Sequence, residues 1–151
     1  DYYTGTVPMV YEDRQKYLTI PPGCEYPIWL SLGEEFMLQP VENTVILKLE
    51  IPEGQYLICN MKGWDYRVNY WYVPLDQEDD KKHKEELKRY GIASEDELVT
   101  GRKGEFYPML KRKITGSWER IFTVPPDTEE NAAATAWELR KSWVREVRRY
   151  E

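Results

Sequence analysis

The sequence predicts an α+β fold with a small, mainly antiparallel sheet and helices inserted between its strands. Three observations carry that prediction. The stretch 44–51 alternates cleanly, with Val45, Leu47, Leu49 and Ile51 on one face and Lys48 and Glu50 on the other, the period of a half-buried strand. Residues 76–90 are charged almost all round and are followed by Gly91, which reads as a helix with a glycine stop. Strand periodicity then returns after residue 131, so the helical stretches fall between strands.

At the start of the chain, residues 1–20 are polar and Tyr-rich without a sustained period, and Pro21-Pro22-Gly23 closes them. They read as an N-terminal arm or remnant ahead of a single domain over 21–151. With no initiator Met and no leader pattern, the first residues resemble the interior of a longer protein. Residues 26–32 read as a first strand, where Ile28, Leu30 and Leu32 alternate with Trp29 and Ser31 and Pro27 suits the strand start. The strand at 44–51 is the clearest, and after the Pro52-Glu53-Gly54 turn residues 55–59 make a third. The expectation is an antiparallel meander of these strands.

Gly63 to Tyr72 packs five aromatic rings, an acid, a base and an amide into ten residues. Trp64, Val68, Trp71 and Tyr72 recur at helical spacing and Pro74 would close the run, so this segment reads as a helix with a buried aromatic stripe. Residues 76–90 form the next helix, with an exposed surface, and Ser94-x-x-Glu97 reads as a capping box opening a short third one. Gly101-Arg102-Lys103-Gly104 lacks the spacing and the following Lys-Ser/Thr of a phosphate loop and reads as a connector. Residues 106–122 are helical with a break at Gly116, and Pro125-Pro126 stops them. From 131 to 150 the alanine content suggests helix but the period favours strand, short turn, strand; Thr135, Trp137 and Leu139 share one face, Ala134, Ala136 and Glu138 the other, and Val144, Val147 and Tyr150 fit a final strand or helix.

A chain of 151 residues buries about two-thirds of its unfolded surface and needs no staple or metal. Its 41% hydrophobic and 32% charged residues describe an ordinary globule, expected to be cytoplasmic, with apolar runs too short to span a membrane. Cys24 and Cys59 lack a metal or redox spacing and read as reduced thiols. The one histidine, His83, sits among charges and reads as part of a solvated face, so neither a metal site nor a required cofactor is expected. A net charge of −6 argues against nonspecific nucleic-acid binding, although Lys111-Arg112-Lys113, Arg120 and the arginines of 140–149 concentrate positive charge in the last third.

Two groups of candidate site residues emerge. The aromatic segment offers Trp64, Arg67, Asn69 and Tyr72, joined by Tyr26, Trp29 and Arg120, as a ligand-binding set in an aromatic-lined cleft. Rings so placed either bury against a core or form a stacking surface, and the residues alone admit both. On the alanine strip of the late strand, Glu138 is the carboxylate that small neighbours would let a ligand approach; the competing reading is a solvated Glu neutralised by Arg140 or Arg67.

Several segments together carry a resemblance. Glu25-Tyr26-Pro27-Ile28-Trp29 after Pro21-Pro22-Gly23, Leu47-Lys48-Leu49-Glu50-Ile51-Pro52, Trp64 with Asn69 and Tyr72, Ser117-Trp118-Glu119-Arg120-Ile121-Phe122, and Ala134-Thr135-Ala136-Trp137-Glu138-Leu139 resemble, in order and spacing, the bacterial domain of unknown function 3841 family. The resemblance runs from about Pro21 to the C-terminus. The family's opening strand and helix, rich in Trp and Gln, find no counterpart before Pro21, and Ala133 stands where the family often has Gln. The family has no settled activity. Its layout is loosely similar to ADP-ribosyltransferases, which implies Glu138 as catalytic carboxylate, Trp29 and Tyr26 as stacking groups, Arg120 or Arg67 on a phosphate, and NAD as cofactor. The leading expectation is a protein- or small-molecule-binding module, in which a few rigid rings carry the affinity. A nucleic-acid module stacking bases on the same rings is the further alternative.

Overall fold

The computed structural model describes residues 18–151, so the arm assigned to 1–20 lies, apart from Leu18–Ile20, outside the described residues. Two compact units divide the chain: a discontinuous one, formed by the residues up to Ile58 together with Ala132–Glu151, and a continuous one, Cys59–Asn131.

The first unit is built from strands, the third of which runs on into the first two residues of the second unit. β1 is Ile28–Ser31, β2 Thr44–Leu49, β3 Leu57–Asn60, β4 Ala132–Ala136 and β5 Val144–Tyr150. They form two small sheets, ordered β1-β4-β3 and β2-β5, so the α+β class holds with helices inserted between β3 and β4. The expected meander does not form. β1 pairs antiparallel with β4, Trp29 facing Thr135 and Leu30 facing Ala134, and β2 pairs antiparallel with β5, Leu47 facing Val147. The reason lies in β4. Its alanines let it sit centrally with Ala134, Thr135 and Ala136 all buried, and a strand buried on both faces is a better partner for β1 than the half-wet β2. Asn43 takes φ 64°, a left-handed turn that Asn tolerates, and its N–H donates to Tyr150 O at 2.7 Å, which starts the β2-β5 ladder.

The second unit is helical. α1, Met61–Val68, is capped by the Asn60 side chain, which accepts from Gly63 N–H at 3.2 Å. The helix expected through Tyr72 stops here, because Tyr70 adopts φ 62° and turns the chain out of the helix. Beyond Tyr70 the chain runs as an extended strap whose polar backbone groups are met by side chains. Trp118 Nε1–H donates to Trp71 O at 2.8 Å; the Glu95 carboxylate accepts from Tyr72 N–H; Ser117 Oγ accepts from Val73 N–H at 2.9 Å; Arg120 Nη1 donates to Val73 O at 2.6 Å; and Asp79 Oδ2 accepts from Leu75 N–H at 2.9 Å. Buried irregular backbone requires such partners.

α2, Gln77–Arg89, begins at the Asp76 cap, whose Oδ1 accepts from Asp79 N–H at 2.8 Å. Its surface is not wholly solvated: Leu87 is buried, and His83, 1% exposed, stacks on Tyr72 with ring centroids 4.1 Å apart. A stripe of two residues one turn apart hides easily in a polar sequence. α3, Asp96–Val99, starts without the expected capping box; Ser94 Oγ bonds the Asp96 carboxylate instead. α4, Lys103–Phe106, occupies the expected connector, and α5, Pro108–Ser117, runs through Gly116 without a break before α6, Arg120–Thr123. Tyr72, Val73, Leu87, Ile92, Leu98, Leu110, Ile114 and Trp118 form the core.

Gly104 owes its identity to this packing. A Cβ there would sit 2.1 Å from Leu98 O, a backbone atom that cannot swing aside. Gly104→Ala is therefore expected to destabilise the chain by about 2–3 kcal/mol, against the usual helical preference for Ala over Gly. Urea unfolding reads this directly, and a midpoint equal to or above the wild type would contradict it.

Candidate groove in the strand unit

β2 and β5 form a ribbon with two different faces. Ile46 opposite Arg148 and Lys48 opposite Glu146 share one face, whereas Val45 and Leu47, opposite Arg149 and Val147, share the other. β1 and the turn after it complete a groove of about 820 Å³, lined by residues 29–34, Met37, Leu38, the run 45–51, Tyr56, and Ala134, Glu146 and Arg148. Its apolar side chains stay open to solvent: Leu47 is 42% exposed, Val45 54% and Leu38 91%.

Charges on the groove are matched to one another. Arg148 donates through Nη2 to Glu34 Oε1 at 2.9 Å and through Nε to Glu146 Oε1 at 2.7 Å, and Lys48 Nζ lies 3.9 Å from Glu34. The hydrogen bonds and charge of Arg148 hold the Glu34 and Glu146 carboxyls below the ordinary carboxylate range, and Arg148 stays protonated throughout. These exposed pairs contribute little stability. Chemically the groove offers apolar surface beside compensated charge.

The residues singled out from the sequence fall into both units. Trp29 lines the groove; Tyr26, 63% exposed, does not. Glu138 lies two residues beyond the end of β4, in a separate pocket of about 140 Å³ with Leu18, Gln55 and Trp137. Its Oε1 accepts from Arg140 Nε at 2.8 Å and Nη2 at 2.5 Å, so the neutralising neighbour is Arg140. Trp29 and Glu138 thus line different cavities of the strand unit.

The remaining five belong to the helical unit. Arg67, 1% exposed, places its guanidinium 3.4 Å from the centre of the Trp118 ring, a close cation–π contact. Tyr72 is core; its hydroxyl donates to the Asp79 carboxylate at 2.9 Å, and burial above all raises its pKa above the ordinary phenol value. Arg120 Nη1 reaches Asp79 Oδ2 at 3.1 Å besides holding the strap. Burial alone would raise the pKa of Asp79, but the Leu75 N–H, the Tyr72 hydroxyl and Arg120 together hold its carboxyl below the usual range. Asn69 ends α1, its Nδ2 donating to Asp65 O at 2.8 Å, and Trp64 is half-buried. The rings of 63–72 do not make one stacked wall: Tyr66 meets Trp71 edge-on at 6.0 Å, Tyr70 tilts against Trp118 at 6.4 Å, and Tyr72 faces His83. The expected aromatic-lined cleft is replaced by a core with aromatic pairs around it.

The groove residues Leu32, Leu38, Val45 and Leu47 are legible in the sequence only as apolar positions in or near strands. Alternation predicts one buried face, and nothing in it tells a face covered by the chain from one left open.

Among the described residues no helix is long and apolar enough to cross a membrane. No curated protein and no solved structure matches the chain. A family model, domain of unknown function 3841, matches residues 9–145, nearly the whole sequence. β1 to β4 of the strand unit and the residues that tie down the strap of the helical unit lie inside that match, which ends two residues into β5, and the chain belongs to the domain of unknown function 3841 family.

Proposed function

We propose that the chain is a binding module whose groove in the strand unit takes an apolar segment of a protein partner. One observation carries the reading: Val45 and Leu47 of the β2-β5 ribbon and Leu32 and Leu38 after β1 all line one groove and are exposed. Contiguous exposed apolar surface is costly to keep in water and marks interaction sites. The paired charges around it leave the apolar contact to supply affinity and shape to supply choice.

Two alternatives have less support. ADP-ribosyl transfer would need Glu138 presented to NAD, and its carboxylate is engaged by Arg140 in a pocket apart from Trp29. Base stacking would need the rings of 63–72 free, and Tyr72 is in the core with Arg120 bound to the strap.

The test is selection of linear peptides from a displayed random library on the purified chain. Peptides that bind the wild type are expected to lose at least about thirtyfold in affinity on Leu47→Lys, a change at an exposed position that places charge in a desolvated contact. Absence of any Leu47-dependent ligand would overturn the reading.

A further inference from the structure

We infer that the groove's ligand is an uncharged extended segment that adds as a strand to the open edge of β2. The inference rests on the groove being the binding site and specifies how it is used. A groove lying over one face of a strand touches alternate residues, because side chains alternate along it. This groove is lined by every residue from 45 to 51 in turn, and so follows the strand's edge as well as its face. Among the described residues β2 pairs only with β5, which leaves the backbone N–H and C=O groups of its other side directed away from the ribbon.

The sequence of that edge favours a guest. Natural sheets guard open edges with charges, prolines or bulges. β2, Thr-Val-Ile-Leu-Lys-Leu, carries one charge over its 6 residues, Lys48, and that ammonium is turned toward Glu34 at 3.9 Å. The single irregularity of the ladder comes at its far end, between Lys48 and Leu49. A straight, nearly uncharged edge is a template for main-chain hydrogen bonds, with alternate guest side chains taken up by apolar surface. Val45 and Leu47 supply that surface on one face of the ribbon, and Leu32 and Leu38 add exposed apolar side chains to the groove lining. Because Glu34, Arg148, Glu146 and Lys48 already neutralise one another, a charged guest would gain little from these four to offset its desolvation.

Strand addition predicts a test that no other mode of groove binding satisfies. In an extended guest, amides of alternate residues point to opposite sides, so N-methylation at every second position blocks one side and spares the other. A peptide selected as above is synthesised in both alternate N-methylated forms and titrated against the whole chain by calorimetry. One form is expected to bind at least about thirtyfold more weakly, the loss of a few main-chain hydrogen bonds, and the other within about threefold of the parent. Equal tolerance of both forms would overturn strand addition while leaving Leu47-dependent groove binding in place. Loss with both would place bonds on both sides of the guest and overturn pairing to β2 alone. Failure to select any Leu47-dependent peptide would instead strike the groove reading beneath it. A dimer of the chain in sedimentation that Leu47→Lys dissociates would seat a second copy on this edge and overturn the peptide ligand.

Discussion

Trp118→Ala is expected to lower the stability of the chain by about 4 kcal/mol, the largest effect of any substitution considered. The ring is buried in the core of the helical unit. It also faces the guanidinium of Arg67 at 3.4 Å and donates its Nε1–H to Trp71 O at 2.8 Å. Truncation opens a cavity, strips a buried cation of its π face and orphans a carbonyl of the strap in one step. Trp118→Phe separates these contributions. It keeps an aromatic face for Arg67 and loses the N–H donor, and should cost about 1–2 kcal/mol. Guanidinium unfolding of both variants checks the order, and an alanine variant no less stable than the phenylalanine one would remove the ring from this role.

Asp79→Asn should also destabilise the chain, with a loss that depends on pH. The wild-type carboxylate receives the Leu75 N–H, the Tyr72 hydroxyl and Arg120, and its pKa in the folded state lies below the unfolded value. That depression sets the sign. A carboxyl depressed on folding stabilises fully above its unfolded pKa, roughly 3.9, and loses that contribution as the pH falls through the lower folded value. At neutral pH Asp79→Asn is therefore expected to cost about 1–2 kcal/mol, because an amide keeps an acceptor for Leu75 but carries no charge for Arg120. As the pH falls through that lower folded value the two proteins should converge, since the wild-type carboxyl is then protonated too. Urea melts across this range measure the gap; a constant gap would assign the loss to shape rather than charge.

These two predictions recast a motif. Ser117-Trp118-Glu119-Arg120 stands out in the sequence as a family signature and Arg120 as a phosphate ligand, whereas Ser117, Trp118 and Arg120 each bond the strap 71–73. Sequence proximity cannot reveal this, because the partners are more than forty positions apart. Local physics is legible where one period rules. β2 and α2 lie within two residues of their expected ends, and Pro125-Pro126 does terminate the last helix. It fails where a single backbone angle decides the outcome. Tyr70 at φ 62° interrupts a run whose side chains keep helical spacing, and nothing in a tyrosine announces that turn. The charged neighbours of His83 suggest a solvated face, but its surroundings are set by Tyr72, which reaches it only because the strap leaves the helix. Strand pairing is likewise hidden: β4 supplies the centre of a sheet from the far end of the sequence.

The groove repeats that lesson for function. The aromatic segment stands out by composition, yet aromatic rings are also the best core material, and here they pair within and around a core. Val45 and Leu47 of β2 carry the pattern of core positions and stand open.

The measurement that tests this account most directly compares two single variants on one selected peptide. Leu47→Lys alters the groove, and Trp71→Ala removes the half-exposed ring of the aromatic segment, 43% accessible to solvent. By fluorescence titration Leu47→Lys is expected to weaken binding by at least about thirtyfold, with Trp71→Ala within about threefold of the wild type. Binding that survives Leu47→Lys and collapses with Trp71→Ala would place the site on the aromatic segment and contradict the account.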